Sequence, residues 1–199
     1  MKKLGLIIIA SFFIFNVSST AIYNSDPKVF VTELVTAAIN KLADKTIGDE
    51  EKRDFIKIIA LENVDINALG LYTLGELRKS TDEANLKKYK TSFESYFLKS
   101  LTSRLTDYSA NKFEVIGAER KSVSYTLVNS KIVGNEKQPE VKIDWRIYTK
   151  NPEKPLIRDL IVEGLSLART QKEEFASILN SNNNDINILI SKLDEFSNK

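Results

Sequence analysis

Asp159 and Glu163, with Gly164-Leu165-Ser166-Leu167-Ala168 directly behind them, come nearest to a catalytic pattern in this chain. On a strand, residues four apart share a face, so the two carboxylates would stand together as an acid and base pair for glycoside hydrolysis. Glu163, however, precedes a glycine at which the chain must turn, and a carboxylate there commonly accepts backbone or arginine hydrogen bonds. The five residues that follow half resemble a nucleophile elbow, but the fifth position is alanine and no histidine exists to take the serine proton. Ser166 therefore reads as a turn or cap residue.

Histidine and cysteine are both absent from the 199 residues. Ser-His-Asp and Cys-His machinery, disulfides, and zinc held by imidazole or thiolate are excluded; oxygen ligands alone suit calcium or magnesium better. A carboxylate pair, a lysine nucleophile or no catalysis remain. The expectation is a non-enzyme with no cofactor and no metal. Two basic pairs, Arg78-Lys79 and Arg120-Lys121, would suit a lipid phosphate or an acidic partner surface; singly, each reads as a solvated charge or a helix-end complement to the macrodipole. They are assigned no site.

The elements that position these residues follow from hydrophobic period. Met1-Lys2-Lys3, an apolar run from Leu4 to Val17 and small residues at Ser19-Thr20-Ala21 form the pattern of a cleaved signal peptide over residues 1–21, too short for a retained span of about 20 apolar residues. Residues 22–199 are then one domain in an exported protein. Cleavage removes Lys2 and Lys3 and none of the 27 acidic residues, leaving a formally neutral chain, which argues against a nucleic-acid partner.

Phe30, Leu34, Ala38 and Leu42 recur every four residues after Asp26-Pro27 and predict a first helix. A second spans Asp49 to Leu61, with Phe55, Ile56, Ile58 and Ile59. Asp65 caps a segment through Leu69, Leu71, Leu74 and Leu77. Ser80 and Glu83 offer a capping box for a long helix striped by Leu86, Tyr89, Phe93, Phe97, Leu101, Leu105 and Tyr108. From Phe113 the period drops to two, predicting strands at 113–118, around Tyr125, Leu127 and Asn129, at 140–149, and at 156–162. Thr170 and Glu173 form a second capping box, and Asp185 caps a last helix carrying Ile186, Leu189, Ile190, Leu193 and Phe196. The expected fold is α+β: an antiparallel meander of about four strands, covered by an N-terminal helical bundle, whose aromatic helix lies over the sheet, and by C-terminal helices.

Two stretches carry a family resemblance. Asp65-Ile66-Asn67-Ala68-Leu69-Gly70-Leu71-Tyr72-Thr73-Leu74-Gly75-Glu76-Leu77-Arg78-Lys79-Ser80-Thr81 leads into the aromatic helix, and Arg158-Asp159-Leu160-Ile161-Val162-Glu163-Gly164-Leu165-Ser166-Leu167 leads into the closing helices. Together they resemble the MlaC, or toluene-tolerance, family of periplasmic phospholipid-binding proteins, over nearly the whole chain after residue 21. The chain departs from that pattern at Glu76-Leu77, where aromatics are common, and at Leu156, where tryptophan is frequent.

The resemblance implies an MlaC-like fold with an NTF2-like sheet. It also implies a monomeric carrier that holds phospholipid as cargo and passes it between an outer-membrane lipoprotein complex and an inner-membrane ABC transporter complex, maintaining outer-membrane lipid asymmetry. The side chains expected around the acyl chains are Leu74, Leu77, Phe93, Phe97 and Leu101 from the helices, and Tyr125, Leu127, Val141, Ile143, Trp145, Ile147, Leu160 and Val162 from the strands. Those same rows could pack together as a dry core, which would make the protein a non-catalytic interaction module with a solid interior. At ~0.8 kcal/mol per buried methylene, two chains of about 16 carbons represent on the order of 25 kcal/mol of transfer, so a carrier must enclose most of both.

Overall fold

The computed structural model describes residues 23–105, 112–134, 136 and 139–199. The export segment and Tyr108 lie outside them. Helix α1 (Pro27–Ala43) starts where Asp26 accepts hydrogen bonds from the Lys28 and Val29 amides at 2.9 and 3.0 Å, satisfying two of the free donors of a first turn. Helices α2 (Asp49–Asn63) and α3 (Ile66–Thr73) follow, and a short 3-10 turn (Gly75–Lys79) leads to the long α4 (Glu83–Leu105). The strands are β1 (Phe113–Arg120), β2 (Tyr125–Ile132), β3 (Val141–Tyr148), β4 (Leu156–Val162) and β5 (Leu165–Ser166), and the chain closes with α5 (Leu167–Asn180) and α6 (Ile186–Ser197).

The strands pair in sequence order as one antiparallel sheet, as the α+β reading expects, with β5 as a two-residue fifth strand. Two caps differ from expectation. Asp82, not Ser80, closes the start of α4, accepting from the Asn85 amide at 2.9 Å, while the Ser80 hydroxyl donates back to Leu77 O. Helix α5 begins four residues before its predicted box, at Ser166, whose hydroxyl accepts from the Arg169 amide at 3.1 Å; Thr170 sits inside the helix and donates to Ser166 O. In both cases a short acceptor one or two residues from the first helical turn reaches its amides, and the competing box cannot.

The cover of the sheet also differs. Helix α1, not the aromatic helix, packs on one face: Phe30, Val31 and Leu34 form a core with Val128, Trp145, Ile147 and Ile157. The stripe of α4 turns instead to other helices, where Tyr89 and Phe93 join Leu74, Phe175, Leu179, Leu189 and Ile190. That packing is close. A Cβ on Gly70 of α3 would stand 2.8 Å from Cδ1 of Phe93, so only glycine lets the two helices approach this far. Beside it Tyr89 Oη donates to Gly70 O at 3.0 Å, and burial raises the Tyr89 pKa.

Candidate functional site

Strand register decides which side chains can meet on the second face of the sheet. Leu127 stands opposite Arg146 and Tyr125 opposite Tyr148, whereas Val128 stands opposite Trp145 and Thr126 opposite Ile147. Tyr125 and Leu127 thus lie on the side away from α1. On β4 the alternation breaks at Arg158: Ile147 pairs with Ile157 and Arg146 with Asp159, leaving one residue over. This bulge places Ile157 with Leu160 on the α1 side, and Asp159 with Ile161 on the other.

Over that second face stand α3 and the start of α5. Helix α3 is fastened to β4 at its first turn, where the Asp65 amide donates to Ile157 O at 2.9 Å. One Asp65 oxygen caps α3 through the Ala68 amide at 3.1 Å. The other accepts Nε and Nη2 of Arg158 at 2.8 and 2.6 Å. Nη1 of Arg158 donates to the Tyr125 hydroxyl at 2.8 Å, and the guanidinium lies 3.5 Å from the centre of the Tyr148 ring. Partial burial opposes the Arg158 charge, but the hydrogen bonds to Tyr125 and Asp65 outweigh it and hold the pKa above its ordinary value.

Asp159 makes the corresponding tie to α5. Its buried carboxylate accepts from the Ser166 hydroxyl at 2.6 Å and the Ala168 amide at 3.0 Å, with Arg146 Nη1 at 3.4 Å. Glu163 lies beyond β4 in a left-handed turn with Gly164 (φ 49° and 82°) and accepts the Lys142 amide. Asp159 and Glu163 therefore serve separate structural ends, and Ser166 is the cap that the sequence suggested.

Between these ties lies a cavity of about 680 Å³, partly open to solvent. Its apolar wall comes from Leu69, Leu71 and Tyr72 of α3, Leu127 of β2, Ile161 of β4 and Ala168 of α5. Arg78, Lys121, Arg146 and Arg158 bring positive groups to the lining, beside the hydroxyl-bearing Ser122, Tyr125 and Thr126. The volume falls within the roughly 300–1,000 Å³ of small-molecule sites, and an apolar wall with a few polar groups is their usual make-up.

Of the side chains expected around a guest, Tyr125 and Leu127 line this cavity. Trp145 and Ile147 are buried beneath α1, with Ile143 and Leu160 packed beside them; Val162 and Val141 follow that face by pairing with Ile143 and Ile132. Leu74 and Phe93 belong to the helical core, Leu77 and Phe97 pack against it, and Leu101 packs on Leu42, Ile56 and Ile59. The structure thus distributes the expected single wall over the cavity and three separate cores.

Leu69, Leu71, Tyr72, Ile161, Arg146 and Arg158 were not expected at a site. A signal for Arg146 was present: it alternates with the apolar row of β3, and the β2 row opposite it mixes Tyr125 and Leu127 with polar neighbours. Arg78 and Lys121, noted in the sequence as candidates for a phosphate, are brought to one cavity from positions 43 residues apart in number, whereas Lys79 and Arg120 are not among its lining. Among the described residues no acidic cluster is suited to a metal ion, and no helix is long and apolar enough to cross a membrane.

The profile of the family described as MlaC protein matches residues 31–195. A solved structure with the same fold is the phospholipid-binding protein of Ralstonia solanacearum, determined in complex with a phospholipid. The two are 16% identical, with a TM-score of 0.70, over 87% of this chain and 97% of that one. No curated protein matches the chain.

Proposed function

The chain belongs to the MlaC family, and from that premise we propose that it is a phospholipid carrier that takes acyl chains into the cavity between α3 and the second face of the sheet. The observation that carries this reading is the cavity itself: about 680 Å³ walled by Leu69, Leu71, Leu127 and Ile161, in a fold shared with a protein that holds a phospholipid. Each methylene drawn from water into such a wall gains ~0.8 kcal/mol, so apolar burial alone supplies the drive. No chemistry is done on the guest. The carrier works in the periplasm after removal of its signal peptide, as a monomer. It moves lipid between an outer-membrane lipoprotein complex and an inner-membrane ABC transporter complex, and so serves outer-membrane asymmetry.

The test is mass spectrometry of the protein purified from a bacterial host without denaturant, followed by incubation with phospholipid vesicles. Diacyl phospholipid should be recovered at a fixed ratio to protein and should exchange with vesicle lipid. Protein that carries no lipid and accepts none would overturn the proposal in favour of an interaction module.

A further inference from the structure

We infer that Arg146 is a specificity-determining residue, which interrupts the apolar wall on the sheet and so limits the length of acyl chain that the cavity encloses. The inference rests on the carrier reading above and deepens it. Strand β3 is the middle strand of the five, and Arg146 rises from it between its register partners, Leu127 of β2 and Asp159 of β4. Ile161, the other aliphatic residue that the sheet gives the cavity, follows Asp159 by two positions on β4. A chain lying across both Leu127 and Ile161 therefore passes over the guanidinium.

Hydration, not net charge, sets the cost of that passage, because Asp159 already balances Arg146. A guanidinium carries several N–H donors. Among the described residues Arg146 meets one acceptor, Asp159 Oδ2 at 3.4 Å, and that oxygen also takes the Ser166 hydroxyl at 2.6 Å. With 46% of the Arg146 side chain exposed, its remaining donors face water. Arg158 differs: Nε, Nη1 and Nη2 all have protein acceptors, and 25% of its side chain is exposed. An acyl chain laid over Arg158 strips little, whereas one laid over Arg146 removes water that nothing replaces. Length matters because room is short. A methylene takes about the space of a water molecule, roughly 30 Å³, so about 680 Å³ holds about 20 of them. Two chains of about 16 carbons carry roughly 30.

The purified protein is exchanged to equilibrium with vesicles holding equal amounts of dimyristoleoyl and dioleoyl phosphatidylcholine, re-isolated, and its lipid quantified by mass spectrometry. Headgroup and unsaturation are the same in both, so the ratio reads chain length alone. Bound lipid should be enriched in the shorter one by roughly tenfold, within the roughly fourfold per methylene that leaving chain outside the wall costs. In the Arg146→Leu/Asp159→Asn variant, its fold checked by circular dichroism, that enrichment should fall by at least about threefold. The asparagine keeps polar atoms for Ser166 and Ala168 once the guanidinium is gone. Arg146→Met, which retains an unbranched apolar stem, reads the same point if the double variant does not fold. Arg146→Lys keeps a hydrated cation at the same place and should retain the enrichment. A merely structural Arg146 would lower stability without moving the ratio, and an unmoved ratio in the folded Leu/Asn or Met variant would overturn the inference. Equal capture of both lipids by the unaltered protein would also overturn it while leaving the carrier intact, whereas capture of neither would overturn both.

Discussion

Arg158 and Asp65 lie 93 residues apart in the chain and meet through two hydrogen bonds to one carboxylate oxygen, 2.8 and 2.6 Å long. The pair joins the bulge of β4 to the start of α3, and with the Asp65 amide bond to Ile157 O it fastens to the sheet the helix that supplies much of the apolar wall.

Asp65→Asn keeps an oxygen for the α3 cap but removes the charge that Arg158 faces. The pair is partly exposed, at 18% and 25% of its side-chain surface, so solvent screening reduces its worth from that of a buried bridge. A loss of about 1–2 kcal/mol in urea unfolding is expected. Lipid exchange should also speed up, because α3 is less firmly held. Unchanged stability and exchange would show the contact to be incidental.

Leu127 and Val128 are neighbours on opposite faces of β2, and charge at each should have a different effect. Leu127→Arg places a cation in the cavity wall and should lower lipid capture at least tenfold with the fold retained. Val128→Arg buries a charge at a site with 0% exposure and should prevent folding. Thermal unfolding monitored beside lipid recovery separates the two outcomes.

Gly70→Ala gains about 0.5–1 kcal/mol of helix propensity, but its methyl meets the Phe93 ring at 2.8 Å, and such overpacking costs roughly 1–3 kcal/mol. Net destabilisation is expected. In a Phe93→Ala background the clashing ring atoms are gone, so Gly70→Ala should become neutral or stabilising. A cycle that stays additive would sink this account.

The hydrogen bond from the Asn85 amide N–H, with a further one from its side-chain amide, holds the Asp82 carboxyl below the usual carboxylate range. A carboxyl whose folded pKa is depressed stabilises the fold fully above its unfolded value, about 3.9, and loses that contribution as pH falls through the folded value. The stability gap between the unaltered protein and Asp82→Ala should therefore be present at pH 7 and narrow below about pH 4. Equilibrium unfolding at both pH values measures it.

The helices and the strand order were legible because each is written locally, in Asp26-Pro27, in Asp185 and in the period-two row from Val141 to Ile147. The site was only half legible. Period two says that Leu127 and Val128 point apart, but which of them faces α1 is set by pairing with Trp145 and Arg146, a relation between strands. The bulge at Arg158 further exchanges the faces of β4, so the apolar residues before and after it cannot be assigned by counting. The α4 stripe is helical whichever layer it meets, and nothing in its spacing distinguishes α6 from the sheet.

With α1 sealed against one side of the sheet through Phe30, Val31 and Trp145, the sheet has little freedom to bow away from an incoming molecule. The opposite side is closed by α3, which is tied to β4 at Asp65 and held against α4 at Gly70. The molecule thus resembles a box whose floor and lid are both fastened, so the bulk of what it admits is governed by the side chains lining the space between them.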